Sequence, residues 1–370
     1  MIDPSARTAE VSEKLSRLRG QMLTRKVDAV VLTQLPNIAW LTAGASTYID
    51  LASDSGPSSL VITQQQAYVL TDNIEVGRLE QEEELNALGF TLSVEPWDQR
   101  GTLLASLLPT SHVGQDGPGI GTDLSLDLQY LRTHLQQAEV ERLQSACSLA
   151  SKAMAAVMYA IRPGMTETAI AGMLAAECLA RGGDATVNLI ASDERIARYR
   201  HPLPTRKPVE RFVMVILCMR YQGLIAALTR LVYFGTLPDE IMRTAQTMAR
   251  VDAHMIEGTR AGKTLGAMFT LAEELYSKEG YPTAAAEHHQ GGLLAYLPRE
   301  ILVRAQDPTV IAENQAFAWN PSIRGAKSED TMLLTSAGPV ILTQTDGWPT
   351  WSVTVNNQTL LRPAILEQRD

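Results

Sequence analysis

The sequence predicts two domains, an α/β domain at residues 1–135 and an α+β domain with internal pseudo-two-fold symmetry at residues 136–370. Three observations support this prediction. The chain has 370 residues, which is too long for one ordinary hydrophobic core and suits two. Helical and strand patterns alternate through the first part, as in α/β domains. In the second part, a unit of helix, break and helix occurs twice, with strand patterns near each copy.

The elements of the first domain follow from their apolar spacing and from the residues that interrupt it. Leu15, Leu18 and Met22 recur at helical spacing, and the β-branched run after them predicts a short buried strand. The Gly- and Pro-containing segment 115–119 is the strongest breaker before the domain boundary. The predicted elements, in order, are a helix at 9–24, strands at 27–32, 59–63 and 66–71, a helix at 74–88, a strand at 91–94 and a connecting helix at 123–136.

The second domain begins with a long predicted helix. Apolar residues recur at three- and four-residue steps across 140–157 and form one continuous stripe. The segment 162–167 ends this helix and starts another, because Thr166 can cap a helix N-terminus and Glu167 suits its positive end. The glycine pair at Gly182 is a typical end for that second helix.

The same unit returns later in the chain. A helical pattern covers 239–257, a second Arg-x-Gly-x-Thr break covers 260–264, and a further helix ends at Gly280. The break glycine and the closing glycine have the same separation in both units. A repeat of this kind predicts two halves related by a pseudo-two-fold axis.

An apolar hairpin at 211–235 lies between the two helix–break–helix repeats. Residues 212–219 are uninterrupted by polar groups, which is typical of a strand buried on both faces. Gly223 completes a turn, and a run rich in β-branched and aromatic residues returns to Gly235. Together with strand patterns across 315–343, this hairpin excludes a purely helical bundle.

The charge and cysteine content exclude several classes of partner. Acidic residues number 41 and basic residues 32, so the net charge is −9, and it is spread without a single-sign tail. Nucleic acid and an anionic membrane are therefore not expected as partners. The N-terminus carries no apolar signal core, so we expect a cytoplasmic location. The three scattered cysteines are expected to be buried, reduced thiols.

The hairpin also carries a family resemblance. Its Arg-Tyr-Gln-Gly turn, followed by Arg230 in Leu-Thr-Arg, resembles the hairpin of the pita-bread peptidase family M24, which includes Xaa-Pro aminopeptidase, prolidase, methionine aminopeptidase and creatinase. The segment 36–42 resembles the N-terminal domain of creatinase and prolidase. The resemblance implies a creatinase-type α/β domain, a pita-bread α+β domain with pseudo-two-fold symmetry, and a homodimer.

The resemblance also implies a two-metal site, but most of its ligands are missing. Two aspartate positions of the family are occupied by Ile216 and Ala227, and one glutamate position by Asn320. His289 and Glu329 match the remaining histidine and glutamate. Two alkyl groups and a neutral amide cannot replace three carboxylates around a pair of divalent ions. We therefore expect no metal and no other cofactor.

The other site positions retain polar side chains. His201 resembles the substrate-binding histidine of Xaa-Pro peptidases, and also the catalytic acid/base of creatinase, which works without metal. The resemblance implies His201 and Glu329 as catalytic groups, and His289, Arg299, Glu300, Tyr296 and Arg230 as substrate-binding groups.

These residues also have ordinary structural interpretations. His201 is equally compatible with a surface loop, and His289 with a hydrogen-bonded position in the core. Glu329 is compatible with a simple ion pair. Its candidate partners are Lys327, Arg299 and Arg230.

Three functions are consistent with this pattern. The leading one is a metal-independent relative of Xaa-Pro peptidases that binds or hydrolyses a small amide, amidine or dipeptide-like ligand. The second is a creatinase-like hydrolase of C–N bonds that uses His201. The third is an active Xaa-Pro dipeptidase or aminopeptidase with replacement metal ligands. The candidate replacements are Asp193, Glu194, Glu287, Glu313 and Asp330.

Overall fold

The computed structural model describes residues 4–108, 112–119 and 121–368. They form two compact units, one comprising the chain up to Glu141 together with Gln222–Leu224, the other Arg142–Tyr221 and the chain from Ile225 onward. Within these ranges, no helix is both long and apolar enough to cross a membrane. All three cysteines are buried free thiols, as predicted, and burial raises the pKa of Cys218 to about 12.

The first unit alternates helices and strands. Leu15, Leu18 and Met22 form the buried stripe of its first helix, as their spacing predicts. The elements are α1 (Pro4–Arg25), β1 (Ala29–Gln34), α2 (Leu35–Leu41), β2 (Ser55–Thr63), β3 (Ala67–Asp72), α3 (Val76–Gln81), β4 (Thr91–Glu95), α4 (Leu104–Leu107), β5 (Val113–Gln115), β6 (Thr122–Asp123) and α5 (Ser125–Thr133).

A mixed six-stranded sheet in the order β4-β3-β2-β1-β5-β6 organises this unit. Strands β1, β2 and β3 pair antiparallel, whereas β4 runs parallel to β3 and β5 parallel to β1. The predicted helix at 74–88 is wrong in its second half, because α3 ends at Gln81. Glu84 and Gly89 take positive φ angles of 53° and 92°, which a right-handed helix cannot contain.

The second unit carries the repeated helices and the remaining strands. Apolar spacing predicted its two long helices within a few residues of their observed ends. The elements are α6 (Gln137–Ala160), α7 (Glu167–Leu179), β7 (Asp184–Ser192), α8 (Glu194–Arg198), β8 (Phe212–Tyr221), β9 (Leu224–Phe234), α9 (Asp239–Gly258), α10 (Leu265–Lys278), α11 (Ala284–Glu287), β10 (Gly291–Leu294), β11 (Ile301–Leu302), β12 (Gln315–Trp319), β13 (Ser322–Ile323), β14 (Ala326–Lys327), β15 (Asp330–Thr335), β16 (Gly338–Ile341), β17 (Thr350–Val355), β18 (Gln358–Pro363) and β19 (Leu366–Gln368).

Two sheets dominate this unit. One has the order β19-β9-β8-β7 and contains the predicted hairpin, and the other has the order β11-β10-β12-β15-β16. One face of the hairpin packs into a core shared with α9, α10 and the second sheet, in which Ile216, Met248, Met268 and Phe317 are buried. This core fixes the strands whose ends carry the polar residues described below.

The predicted repeat is confirmed in the backbone. Thr166 and Thr264 both take an extended N-cap conformation, and each side chain accepts a hydrogen bond from the N–H group three residues later. The break glycines Gly164 and Gly262 have nearly equal positive φ angles of 87° and 86°. The α+β architecture with pseudo-two-fold symmetry is therefore correct, and each break uses the same capping chemistry.

Glu167 does more than interact with the helix dipole. Its fully buried carboxylate accepts hydrogen bonds from the N–H and hydroxyl groups of Ser192 and Thr205, at 2.7–2.9 Å, and pairs with Arg195. Burial acts to raise the pKa of Glu167, but these bonds outweigh it and hold the pKa below its ordinary value. The carboxylate thereby ties α7 to α8 and to the loop that contains His201.

Replacing Glu167 by Gln is expected to destabilise the protein by about 2–3 kcal/mol, because the fully buried carboxylate is lost and the partly buried guanidinium of Arg195 loses its countercharge. Since the folded pKa is depressed, this stability is present above the unfolded pKa and is lost as pH falls through the folded pKa. Urea denaturation near neutral pH and at about pH 3 checks both statements. Glu177→Gln, on the exposed side of the same helix, is the control, and equal stability of the two variants would contradict the prediction.

Candidate active site

Three histidines meet where two loops of the second unit approach each other. His201 lies in the extended loop after α8 and is exposed. His288 follows α11 directly and is buried, with 8% exposure, whereas the neighbouring His289 is half-buried. The proline-fixed loop and the end of a short helix therefore place three imidazole rings together.

Two glycines after these histidines allow β10 to approach its neighbours. A Cβ atom on Gly291, whose φ is 91°, would lie 2.0 Å from the carbonyl oxygen of Ala318. A Cβ on Gly292 would lie 2.0 Å from the carbonyl oxygen of Ile301. No side chain is compatible with such distances, so the glycine pair fixes the path of the chain at His289. The Nδ1 atom of His289 accepts a hydrogen bond from the Gly291 N–H at 3.3 Å.

The rings contact each other directly. The Nε2 atoms of His201 and His288 are 3.2 Å apart, so the ring that carries the proton donates to the other. His289 stacks on His288 with a centroid distance of 4.3 Å. One potential ligand atom from each ring lies within 4.8 Å of the other two. The Nδ1 atom of His288 is buried and has no hydrogen-bond partner in the part of the chain that the structure describes.

Near the histidines, a buried carboxylate holds two cations. Glu329, 1% exposed, precedes β15, and its Oε1 and Oε2 atoms lie 2.6 Å from Arg299 Nη2 and 2.9 Å from Lys327 Nζ. Thr229 in β9 donates its hydroxyl proton to Oε2 at 2.8 Å. Burial acts to raise the pKa of Glu329, but Lys327 and Arg299 outweigh it and lower the pKa to about 2. The carboxylate is therefore ionised, and both of its oxygens have partners.

The charges of Lys327 and Arg299 also affect the pKa values of the three histidines. Burial, followed by the charge of Lys327, lowers the pKa of His288 to about 2 and also lowers that of His201. For His289, burial followed by the charges of Arg299 and Lys327 lowers the pKa to about 4. The three rings are accordingly neutral at neutral pH, and Glu329 is the anion among them.

The positions that resemble the family's metal ligands do not fit a two-metal centre. Ile216 and Ala227 are 2% and 0% exposed, and neither side chain has a donor atom. Asn320 supplies a neutral amide, and Glu329 is already paired with two cations of the protein. A pair of divalent ions needs several anionic oxygens, and these four positions supply one carboxylate.

Four of the five carboxylates predicted as replacement ligands are paired with other groups, and the fifth, Glu313, is exposed. Asp193 accepts hydrogen bonds from three consecutive N–H groups at 210–212, and Glu194 pairs with Lys207. Glu287 and Asp330 are also in ion pairs, with arginines outside the histidine cluster. No replacement carboxylate thus joins the three histidines among the groups of metal-binding side chains found in residues 4–108, 112–119 and 121–368.

The structure brings together only part of the predicted site. Arg299 joins His201, His289 and Glu329, as proposed from the sequence. Tyr296 and Glu300 instead build the turn between β10 and β11, where the Glu300 carboxylate accepts the Tyr296 N–H at 3.1 Å. Tyr296 accepts a hydrogen bond from Arg142 through its hydroxyl group.

The Arg230 guanidinium points away from the carboxylate of Glu329, although its Nη1 atom contacts the backbone carbonyl oxygen of that residue at 3.5 Å. The guanidinium binds Asp330 Oδ1 and the carbonyl oxygen of Thr343, each at 2.8 Å. Successive residues of a strand point to opposite faces, so Thr229 reaches Glu329 while Arg230 points away. The side chain is 1% exposed and belongs to a second buried ionic cluster that includes Asp330 and Arg362. Arg230 is therefore not positioned to contact a ligand at the histidines.

Sequence reasoning missed two residues of the site. The sequence assigns no role to His288, because only His289 matches the motif, and it indicates Lys327 only as an ion-pair partner of Glu329. The double histidine itself was the available signal for His288. His289 faces the ring of His201, and this contact cannot be predicted from the spacing of residues along the chain.

Comparison with known proteins identifies the family. Residues 141–336 match the model of metallopeptidase family M24, which is more than half of the chain. The chain belongs to metallopeptidase family M24. Residues 14–162 match the creatinase/prolidase N-terminal domain that accompanies the M24 domain here. The two-domain pita-bread fold expected from the sequence is thereby confirmed.

Its relatives in the family are similar over most of their length. A Xaa-Pro dipeptidase of Pyrococcus horikoshii is 23% identical over 355 residues, covering 91% of this chain and 98% of the relative. A solved Xaa-Pro dipeptidase from Bacillus anthracis has a TM-score of 0.76 at 19% identity, covering 97% of this chain and all of that one (100%). A prolidase structure from P. horikoshii OT3 also has a TM-score of 0.76, at 21% identity, with 90% and 99% coverage. These likenesses fit an M24 peptidase.

Proposed function

We propose that this M24 protein binds a small, carboxylate-bearing, dipeptide-like molecule at its histidine cluster without the two-metal centre of the family. The observation that carries the proposal is the state of Glu329. In the family resemblance this residue bridges two metals, but here Arg299 and Lys327 supply the positive charge around it. Since Ile216 and Ala227 add no donor atoms, protein cations take the electrostatic role of the metals.

The charge balance of the site indicates the ligand class. Two cations, Arg299 and Lys327, face one carboxylate, so one positive charge is left over beside three neutral rings. An anionic group on a ligand would be stabilised there by charge-assisted hydrogen bonds. The relatives named Xaa-Pro dipeptidase support a peptide-like ligand, whose free C-terminus provides such an anion.

Calorimetric titration with the dipeptide Ala-Pro and with its C-terminal amide tests this function. In the presence of a chelator, Ala-Pro is expected to bind, and the amide to bind about 10–100-fold more weakly, because it lacks the charge that the cations recognise. Arg299→Gln is expected to reduce the preference for the acid over the amide. Arg162→Gln, an exposed arginine at the end of α6, is the matched control and should leave the preference unchanged.

Two results would overturn the proposal. Equal affinity for Ala-Pro and its amide would show that the cations of the site do not recognise the carboxylate of the ligand. Hydrolysis of Ala-Pro that requires about two metal ions per chain, and that a chelator abolishes, would favour an active Xaa-Pro dipeptidase with a rebuilt two-metal centre.

A second candidate is a creatinase-like hydrolase of C–N bonds. The 3.2 Å contact between His201 and His288 favours it, because an exposed histidine linked to a buried one is placed to exchange a proton with a ligand. If His201 is the acid/base, His201→Gln should lower chelator-resistant turnover by about 100-fold or more. Unchanged turnover in that variant would exclude this candidate. A homodimer also remains a prediction, which light scattering on the purified chain would check.

A further inference from the structure

We propose that His201, His288 and His289 hold a single transition-metal ion of the zinc class. This three-histidine site differs from the family's two-metal centre in its stoichiometry and in its ligands, of which only His289 matches one of the family's. The inference goes beyond ligand binding and does not depend on it, since it rests on the positions of the imidazole rings and on the charges beside them.

The spacing of the rings is that of ligands sharing one ion. Zn–N bonds of about 2.0–2.1 Å at tetrahedral angles separate two ligating nitrogens by about 3.3 Å. The Nε2 atoms of His201 and His288 are 3.2 Å apart. His289 has a nitrogen within 4.8 Å of both other ligand atoms. His201 is exposed and His289 is half-buried, so small rotations of these two rings can bring the three nitrogens together.

The orientation of the His288 ring leaves its Nε2 atom as the one that can bind a metal shared with His201. The ring is buried, and its Nδ1 atom has no hydrogen-bond partner among residues 4–108, 112–119 and 121–368. Its Nε2 atom faces another imidazole nitrogen at a distance that suits either a shared proton or a shared ion. Bound metal would give the nitrogen pair a common partner.

The nearby charges select the kind of metal. Arg299 and Lys327 outweigh Glu329 by one positive charge, which disfavours a bare dication and favours one that carries an anionic fourth ligand such as hydroxide. Three histidines with one open position are a typical catalytic zinc arrangement. Imidazole ligands suit zinc, copper, nickel and cobalt, whereas manganese and magnesium prefer carboxylates. We therefore expect zinc or cobalt to bind and manganese to bind poorly.

The test is metal titration of the full chain, combined with elemental analysis after desalting. One zinc or cobalt ion per chain is expected, with cobalt giving the visible absorption of four-coordinate Co(II). His201→Ala and His288→Ala should each weaken binding by at least about 100-fold, because even residues that only support metal ligands contribute 10–100-fold. His201 is exposed, so its variant is expected to remain folded if the buried His288 variant does not.

His254→Ala is the matched control. This histidine lies on α9, where its Nδ1 atom contacts the Arg250 carbonyl oxygen at 2.8 Å, away from the cluster. One metal per chain that is lost in the His201 variant and kept in the His254 variant supports the proposal. Metal content well below one per chain in the unaltered protein overturns it but leaves chelator-resistant ligand binding standing.

Two other outcomes are also decisive. One metal per chain that persists in both cluster variants places the ion elsewhere and overturns the three-histidine site. Two metals per chain, with manganese as effective as zinc, overturns this inference and the proposed function together, because it requires a rebuilt two-metal centre.

Discussion

Replacing Glu329 by Gln is expected to destabilise the protein by about 3–5 kcal/mol, the range typical of breaking a buried ion pair by removing one partner. The carboxylate is 1% exposed and is the shared countercharge of Arg299 and Lys327, whose side chains are 14% and 5% exposed. An amide at this position leaves both cations without a negative partner. Urea denaturation followed by tryptophan fluorescence measures the effect, since Trp319 and Trp348 report on the second unit.

A double variant separates the ion pair from other effects of the substitution. Lys327→Met removes one of the two cations and keeps a side chain of similar length. If the ion pair dominates, the double variant Glu329→Gln/Lys327→Met is expected to lose at least about 1 kcal/mol less unfolding free energy than the two single variants lose together. Additive effects, or a Glu329→Gln variant as stable as the unaltered protein, would show that the cluster is hydrated and only weakly coupled.

Restoring an acid at one lost metal position is expected to be costly. Ile216→Asp places a carboxylate in β8 at a position that is 2% exposed and packs within the core around Phe317 and Met248. We expect a loss of about 4 kcal/mol or more, because desolvating an unpaired charge adds to the loss of apolar packing. The same denaturation experiment measures this loss.

Two further substitutions at Ile216 isolate the cause. Ile216→Val removes one methylene and should cost only about 0.5–1.5 kcal/mol. Ile216→Asn has nearly the volume of the acid without its charge, so the difference between the two polar variants reports the charge alone. A stable Ile216→Asp variant, or one that zinc or manganese restores to full stability, would contradict the apolar environment described here.

The parts of the fold that depend on local chemistry were predictable from the sequence. Each Arg-x-Gly-x-Thr break contains a glycine that favours a positive φ angle and a threonine that favours the N-cap of the next helix. The structure has the positive φ angle, the N-cap and the helix start at both breaks. The apolar strands of the hairpin were equally direct, because burial on both faces requires an uninterrupted apolar run. Helix 74–88 failed because Glu84 adopts a left-handed conformation for which its residue type gives no signal.

The site was less predictable because its members come together through tertiary structure. His201 and His288 are 87 residues apart in the chain and meet only through the packing of two loops. Glu329 had three candidate partners in the sequence. Only the orientation of the side chains on β9 excludes Arg230 and leaves Arg299 and Lys327.

The opposite orientations of Thr229 and Arg230 have a consequence for strand alignment. Thr229 binds Glu329 on one face of β9, while the residues that follow them, Arg230 and Asp330, bind each other on the opposite face. A shift of one residue between β9 and the segment at Glu329 would move these side chains away from their partners and leave buried charges unpaired. The paired ionic clusters thus fix how the two sheets are positioned against each other, because only one alignment gives every buried charge its partner.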